Sequence, residues 1–348
     1  MKSYNDPQKN KELDPRNSIA HRSDVLFLYD SRMANPNGDP DENRPRIDPY
    51  SRVNLVTDYR LKRTIRDYIL NHYKNEPPDK IFIREEFNQK KNKKRIEDLA
   101  EEFIDEEIKN NKKNSDDKKK IRVVNKEEIL KQHIDVRLFG LMFLVSDITF
   151  KELGPVQFSI GTSLNIPQEI LIRNTRIVPT KDESKSGTFG EKAILKYSLI
   201  LFHGFINQIV AKRTILTEND ITKMMLGMWY GTNDLSTSSK YGQTSRFLLR
   251  IIYSNEYGYI GDLDRNIVLN NSSKEDIEDI LQAKINLSNL FKKLEKNINI
   301  IKELQFACYD DLNILIDGKQ RDLKEYIKQW SQKSNVKVHN ILDQINSK

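Results

Sequence analysis

The sequence predicts an α+β fold, in which short strands and amphipathic helices follow one another along the chain. Residues 25–29 (VLFLY) form an apolar run typical of a strand, and residues 55–73 repeat apolar side chains at helical spacing. Residues 192–205 alternate apolar and polar side chains, which indicates a central strand. The chain of 348 residues is long enough to bury a core, and it carries no internal repeat.

A turn-rich loop and then a helix follow the first strand. Residues 31–52 place four prolines and Gly38 among Asn and Asp side chains, so neither a helix nor a strand is expected to run through them. The helix at 55–73 presents one apolar face, and Thr57 and Asp58 are its candidate cap residues.

Residues 74–133 differ in composition from the rest of the chain. They hold 17 Lys or Arg and 15 Asp or Glu side chains within 60 residues. A dense mixture of charges with few apolar residues predicts a solvated helical insertion or a mobile region that has no core.

Strand patterns return after this insertion, with Gly154 and Pro155 as a break. Two extended arms around a polar tip at residues 181–190 predict a projecting hairpin. The further predicted strands lie at residues 136–145, 156–163, 169–178, 192–205 and 245–254, and the further helices at about 217–230 and from about 273 onward. Without the insertion, the order of elements is β-α-β-β-α-β, which is that of the ferredoxin-like or RRM fold.

The composition and charge of the chain exclude several classes of protein. The 58 Lys and Arg against 51 Asp and Glu give a net charge of +7, a mild preference for a polyanionic partner. The single cysteine, Cys308, excludes an intramolecular disulfide framework, and the five scattered histidines disfavour a metal site. The polar N-terminus and the short apolar runs predict a cytoplasmic protein without a signal peptide or membrane span. No cofactor is expected.

Two segments near the N-terminus offer groups that bind phosphates. The loop combines amides, backbone N–H groups and guanidinium forks, which hold phosphate oxygens well. The helix adds three cations within about one turn. The candidate RNA-binding residues of the two segments are Arg32, Asn35, Asn37, Gly38, Arg44, Arg46, Lys62, Arg63 and Arg66. An ordinary surface loop and a solvated helix face remain the alternatives.

The predicted hairpin is more basic than the rest of the chain. Residues 171–213 hold eight basic and three acidic side chains. Such a hairpin could grip a strand and wedge apolar side chains between bases. The candidates are the cations Arg173, Arg176 and Lys192 and the wedges Ile166, Ile177 and Phe189. A flexible surface hairpin without a ligand is the alternative.

Patterns typical of enzymes are weak. The sequence has no Walker loop, GxGxxG, GxSxG or HExxH motif. Asp39 lies in the loop where an acidic residue could position a metal or a 2′-hydroxyl, but acidic turn residues are ordinary there. His203 interrupts an apolar strand and is expected to be a hydrogen-bonded core histidine. The sequence therefore favours a protein that is not an enzyme.

Five blocks in fixed order together resemble a known family. They are LYDSRMANPNGDPDENRPRID, VTDYRLKRTIRDYI, DVRLFG, GPVQFSIGTSLN and GTFGEKAILKYSLILFHGFIN, within residues 24–72 and 134–253. They closely resemble the backbone subunit of type I CRISPR Cascade complexes, the Cas-seven family, and most of all its type I-B branch. Each block alone is weak, whereas the combination is specific.

The resemblance implies an RRM-like palm with inserted helical fingers, a thumb β-hairpin and a helical C-terminal segment. The implied parts are palm at 20–73, fingers at 74–133, palm at 134–163, thumb at 164–192, palm at 193–262 and the helical segment at 263–348. It also implies that Arg137 faces RNA as the chain re-enters the palm.

The implied function is that of a non-catalytic scaffold in antiviral defence. Copies would polymerise head to tail along one CRISPR RNA, contact other Cascade subunits and present the guide for pairing with target DNA. Two alternatives stay open. One is an acidic-loop ribonuclease like the type III backbone subunits, with Asp39 as its nearest candidate. The other is a single-copy RNA-binding module.

Overall fold

The computed structural model describes residues 17–86, 95–110, 118–145, 148–175 and 189–343. Within these ranges the helices are α1 (Asp58–His72), α2 (Ile96–Ala100), α3 (Lys126–Gln132), α4 (Ile134–Phe139), α5 (Gln208–Thr214), α6 (Glu218–Asn233), α7 (Ser288–Lys296) and α8 (Leu323–Ser334). The chain divides into two compact units, and the predicted α+β class is confirmed.

The strands are between two and 18 residues long. They are β1 (Ser23–Ala34), β2 (Leu55–Val56), β3 (Ile104–Asn110), β4 (Lys118–Val124), β5 (Gly140–Val145), β6 (Ile148–Leu153), β7 (Val156–Phe158), β8 (Gly161–Ser163), β9 (Glu169–Thr175), β10 (Phe189–Ile206), β11 (Gln243–Tyr253), β12 (Val268–Leu269), β13 (Ile285–Asn286), β14 (Ile301–Cys308), β15 (Ile314–Ile316), β16 (Lys319–Arg321) and β17 (Lys337–Asn340).

We call the unit formed by His21–Thr64, Phe158–Phe205 and Met228–Lys348 the sheet unit. Its large sheet runs in the order β17-β14-β11-β1-β10-β8-β2, and β9 also pairs with β10. Strands β1 and β11 are antiparallel, with Leu26 opposite Leu249. Alternate residues of these strands point into one apolar core, as strand periodicity requires.

The C-terminal part of the sheet unit differs from its prediction. A helical segment was expected from residue 263, but β14 and β17 join the large sheet and a second sheet forms in the order β12-β13-β15-β16. Between residues 263 and 343, α7 and α8 are the α-helices. The apolar spacing of Ile277 and Ile280 suggested a helix, yet both side chains enter the core from an irregular segment that ends in a single 3₁₀ turn.

We call the other unit, which includes Ile65–Gln157 and Ile206–Gly227, the insertion unit. The prediction that residues 74–133 have no core is wrong. Phe82, Leu99, Phe103 and Ile129 are buried in one apolar cluster, although the segment is mostly charged. Strands β3 and β4 pair antiparallel, where a helical insertion or a mobile region was expected.

Residues 136–145 were predicted to be one strand, but the first half is helix α4 and only β5 is extended. A short apolar run fits either structure, because periodicity cannot separate the two. The change occurs at Gly140, which has a φ of 77°, a conformation that favours glycine. Gly154 packs directly against this junction, since a Cβ on it would lie 2.0 Å from the carbonyl carbon of Phe139.

The predicted hairpin has both of its arms. Strands β9 and β10 pair antiparallel from Glu169 opposite Leu195 to Thr175 opposite Phe189. Most of the predicted polar tip, with Arg176 and Ile177, lies outside the described residues. Within the part of the chain that the structure covers, no helix is both long and apolar enough to cross a membrane.

Candidate nucleic-acid interface

Two asparagines build the turn-rich loop from inside. Asn35 is 1% exposed, and its Nδ2 donates to the carbonyl of Asn43 at 2.7 Å. The Oδ1 of Asn37 accepts hydrogen bonds from the backbone N–H and the hydroxyl of Thr57, at 2.8 and 2.9 Å. These amides were expected to face phosphates. Instead Asn37 fixes the loop to the start of α1, and Asn35 is buried, with an Oδ1 that has no hydrogen-bond partner among the described residues.

Gly38 has a steric role in the same loop. It bridges to Pro45, and a Cβ on it would lie 2.1 Å from Oδ1 of Asn43. A Cβ at this position would therefore displace the exposed side chain of Asn43, whose backbone carbonyl oxygen would lie 3.1 Å away, independently of any ligand.

The arginines of the loop occupy three different environments. Arg44 donates to both carboxylate oxygens of Glu169, at 2.9 and 2.7 Å, and these hydrogen bonds raise the pKa of Arg44. Arg32 is largely exposed, with its Nε 3.5 Å from a carboxylate oxygen of Asp279. The Nε of Arg46 is buried and has no hydrogen-bond partner among the residues that the structure describes.

The cations of α1 differ in their ion pairs and in their exposure. In the sheet unit, Lys62 is nearly buried and pairs with Asp58 at 2.9 Å, whereas Arg63 is exposed. In the insertion unit, Arg66 pairs with Asp135 at 2.9 Å. Lys62 and Arg66 therefore stabilise their own units, and Arg63 is the cation of this helix that is most accessible to a ligand.

Arg137 does not fit its expected role. Its side chain is fully buried, and its guanidinium pairs with Asp220 inside the insertion unit. The carbonyl oxygens of Leu130 and Pro78 accept further hydrogen bonds from it, at 2.8 and 3.0 Å. The prediction that Arg137 faces RNA is contradicted by this burial, because every contact that fixes the charge is internal.

The base of the hairpin carries the remaining described candidates. Ile166 lines a cavity of about 260 Å³ together with Ile47, Arg52 and Glu169. Arg173 pairs with Glu191 across the two strands at 3.0 Å, and both side chains are exposed.

Lys192 and Phe189 lie on the second arm. The Nζ of Lys192 donates to the carbonyl of Ser238. Phe189 is the first residue of β10 and lies opposite Thr175. Lys192 therefore ties the base of the arm to residue 238 in the sheet unit.

Sequence reasoning missed three cations near this loop. Arg52 pairs with Glu275, and Lys196 pairs with Glu278. We call Arg32, Arg44, Arg52 and Lys196 the basic face. Arg52 lies within the turn-rich loop, and Lys196 lies within the basic segment 171–213. Their charge and position could therefore have identified them as candidates from the sequence.

Lys240 is the third missed cation. Its Nζ donates to the carbonyl of Asn35 at 2.6 Å. Burial, together with the positive charge of Arg60, lowers the pKa of Lys240 to about 8.

The acidic residue proposed for catalysis has a local contact. Oδ1 of Asp39 accepts a hydrogen bond from the backbone N–H of Glu42 at 2.8 Å, a contact typical of a turn. Among the described residues, no group of three or more His, Cys, Asp or Glu side chains is placed to hold a metal ion.

Comparisons with known proteins give matches over most of the chain. A sequence model of the family described as CRISPR-associated protein Cas7 matches residues 21–288. A protein of Haloferax volcanii described as CRISPR-associated protein Cas7 is 28% identical over 320 residues, which cover 86% of this chain and 88% of that protein. A solved chain described as CRISPR RNA-guided surveillance complex, pre-nicking, has a similar fold, with a TM-score of 0.51, 10% identity and coverage of 90% of this chain and 100% of that chain.

Proposed function

Because the chain belongs to the Cas7 family of CRISPR-associated proteins, we propose that it is a non-catalytic backbone subunit of a type I Cascade complex and binds CRISPR RNA. Copies of the chain stack head to tail along one guide, contact other Cascade subunits and hold the guide for pairing with target DNA in antiviral defence. Its sequence blocks favour the type I-B branch.

The basic face is the observation that carries RNA binding. The side chains of Arg32, Arg44 and Arg52 are 65, 44 and 59% exposed, and each is held by a carboxylate at the surface. Exposed ion pairs with a single contact, such as those of Arg32 and Arg52, contribute only about 0 to 1 kcal/mol each. A polyanion that offers several phosphates can therefore replace the carboxylates, and Arg forks bind phosphate oxygens in pairs.

The architecture proposed for this role is a palm, fingers and a thumb. The order β11-β1-β10-β8 sets the fourth, first, third and second strands of the β-α-β-β-α-β motif side by side, which supports an RRM-like palm. Strands β9 and β10 support the arms of the thumb. The segment between α1 and α4 provides the fingers.

Guide binding by a basic-face variant tests this function. In Arg32→Ala/Arg44→Ala/Arg52→Ala, three phosphate contacts are lost, so the salt dependence of log K should become shallower by about two. Affinity should fall by at least about tenfold at moderate salt, equally for guides with unrelated spacers. Fluorescence anisotropy with labelled guide RNA measures both quantities.

A matched control removes three exposed cations of the sheet unit elsewhere in the chain, in Lys319→Ala/Arg321→Ala/Lys328→Ala. This control should change affinity far less than the basic-face variant. Equal losses in the two variants, or unchanged affinity in the basic-face variant, would contradict the proposed role of the basic face.

A further inference from the structure

Three cations of the basic face are paired with one short segment of the chain. Residues 275–279 (EDIED) supply Glu275 to Arg52, Glu278 to Lys196 and Asp279 to Arg32. We call residues 275–279 the acidic segment. It holds four carboxylates in five residues, and three of them contact cations far away in the sequence.

The acidic segment is anchored from below. Ile277 and the following Ile280 are 4 and 6% exposed, in the core of the sheet unit. The backbone N–H of Ile166 donates to the carbonyl of Lys274 at 3.1 Å, which ties the start of the segment to the base of the hairpin. The pattern of two acidic residues followed by an isoleucine thus sends the apolar side chains inward and the carboxylates toward the cations.

The contacts themselves are exchangeable. The cationic side chains are 35 to 65% exposed and the acidic ones 32 to 47% exposed. Such pairs are weak and solvent-screened, so a phosphate competes well for each cation. A rotation of the long side chains is enough to exchange partners, because the anchored backbone does not need to move.

We infer that the acidic segment competes with RNA for the basic face, so that binding of a strand is weakened once for each of these cations that the strand reaches. This inference rests on the proposed function. A strand that reaches Arg32, Arg52 and Lys196 together must displace all three carboxylates, which its linked phosphates can do at a high effective concentration. A short oligonucleotide that engages one cation displaces one carboxylate, so removing the carboxylates should strengthen its binding less than that of the long strand.

The test compares the whole chain with Glu275→Gln/Glu278→Gln/Asp279→Asn. Anisotropy at low salt measures binding of unrelated single-stranded RNAs of roughly 5 and roughly 20 nucleotides. We expect the variant to bind the long RNA about tenfold more tightly than the unmodified chain, because three weak ion pairs no longer have to be broken, with a smaller gain, about twofold, for the short RNA. The substituted side chains keep their shape, and thermal unfolding verifies the fold.

The control is Glu295→Gln/Asp311→Asn/Glu325→Gln. It removes the same charge from exposed positions that take no part in the three ion pairs of the acidic segment. Its gain should be small and equal for both lengths. If the triple variant does not fold, Glu275→Gln and Glu278→Gln should each give about a twofold gain for the long RNA.

The outcomes separate this inference from the proposed function. The inference alone is overturned if the unmodified chain binds guide RNA but the variant gains no affinity for the long RNA, or if the control gains as much as the variant. An unmodified chain that fails to bind guide RNA at low salt overturns the proposed function and the inference with it.

Discussion

Arg137 donates hydrogen bonds of 3.0 and 2.8 Å to the two carboxylate oxygens of Asp220, and both side chains are at most 3% exposed. Burial alone would raise the pKa of Asp220, but the attraction and hydrogen bonds of Arg137 lower it. The pair joins α4 to the first turn of α6 within the insertion unit. Its role is therefore structural.

Removing one partner of this pair should destabilise the protein strongly. Arg137→Met leaves the Asp220 carboxylate buried without its counter-charge, which costs about 3 to 5 kcal/mol. Chemical denaturation measures the loss. Arg173→Met is the matched control, because the pair with Glu191 is exposed and should contribute little. Equal effects of the two substitutions would show that burial of the first pair has been misjudged.

Gly154→Ala should destabilise the insertion unit. The added Cβ would lie 2.0 Å from the carbonyl carbon of Phe139 and 2.4 Å from the backbone nitrogen of Gly140. Backbone atoms cannot rotate away as a side chain does, so the junction of α4 and β5 must shift, at a cost of about 1 to 3 kcal/mol. Denaturation, with amide exchange in β5 and β6 as a local readout, measures the effect. An unchanged free energy of unfolding would rule out this close approach.

His203 should make stability fall as the pH rises through the alkaline range. Burial alone would lower the pKa of His203, but hydrogen bonds with Asp24 and Asp264 outweigh it and raise the pKa from 6.5 to about 9. The imidazole nitrogens lie 2.9 and 3.4 Å from these carboxylates, so the charged form fits the site.

The direction of this pH dependence follows from the linkage between proton binding and folding. Because the folded-state pKa exceeds the ordinary value, the contribution is fully present below about pH 6.5 and is lost as the pH rises through about 9. The test compares the free energies of unfolding of the unmodified chain and of His203→Asn between about pH 6 and about pH 10. The difference between the two should shrink as the pH rises through this range. A constant difference would mean that His203 is neutral in the folded protein.

Cys308 should resist thiol reagents in the folded protein. Its thiol lies buried on β14, and burial raises the pKa of Cys308 to about 12. Since the thiolate is the reactive form, labelling at pH 8 should follow unfolding of the sheet unit. Mass spectrometry after a timed pulse of reagent, with and without denaturant, measures this. Rapid labelling without denaturant would contradict the buried position of β14.

The sequence predicted the features that depend on local pattern or on several blocks in order. Alternation located β10 to within a few residues, and the five blocks gave the family, which the family match confirms. The helical expectation after residue 263 failed, because an isoleucine at every third position fits an irregular segment as well as a helix. Short apolar runs such as residues 136–145 carry the same ambiguity.

Ion pairs between residues far apart in the chain were beyond the reach of sequence reasoning. Arg44 and Glu169 are 125 residues apart, and Arg137 and Asp220 are 83 apart, so no local pattern joins them. A cation counted from sequence can thus be buried, like Arg137, or exposed, like Arg32, and only tertiary packing decides which. Asn35 and Asn37 show the same limit, since amides suited to phosphates are used to build their own loop.

The number of chains carried by one guide RNA tests the central claim most directly. Native mass spectrometry of the chain assembled on guide RNA, and on a guide with a shortened spacer, gives this number. We predict several copies on the full guide and fewer on the shortened one, because each copy occupies a fixed stretch of phosphates. A single chain on both guides would contradict the account.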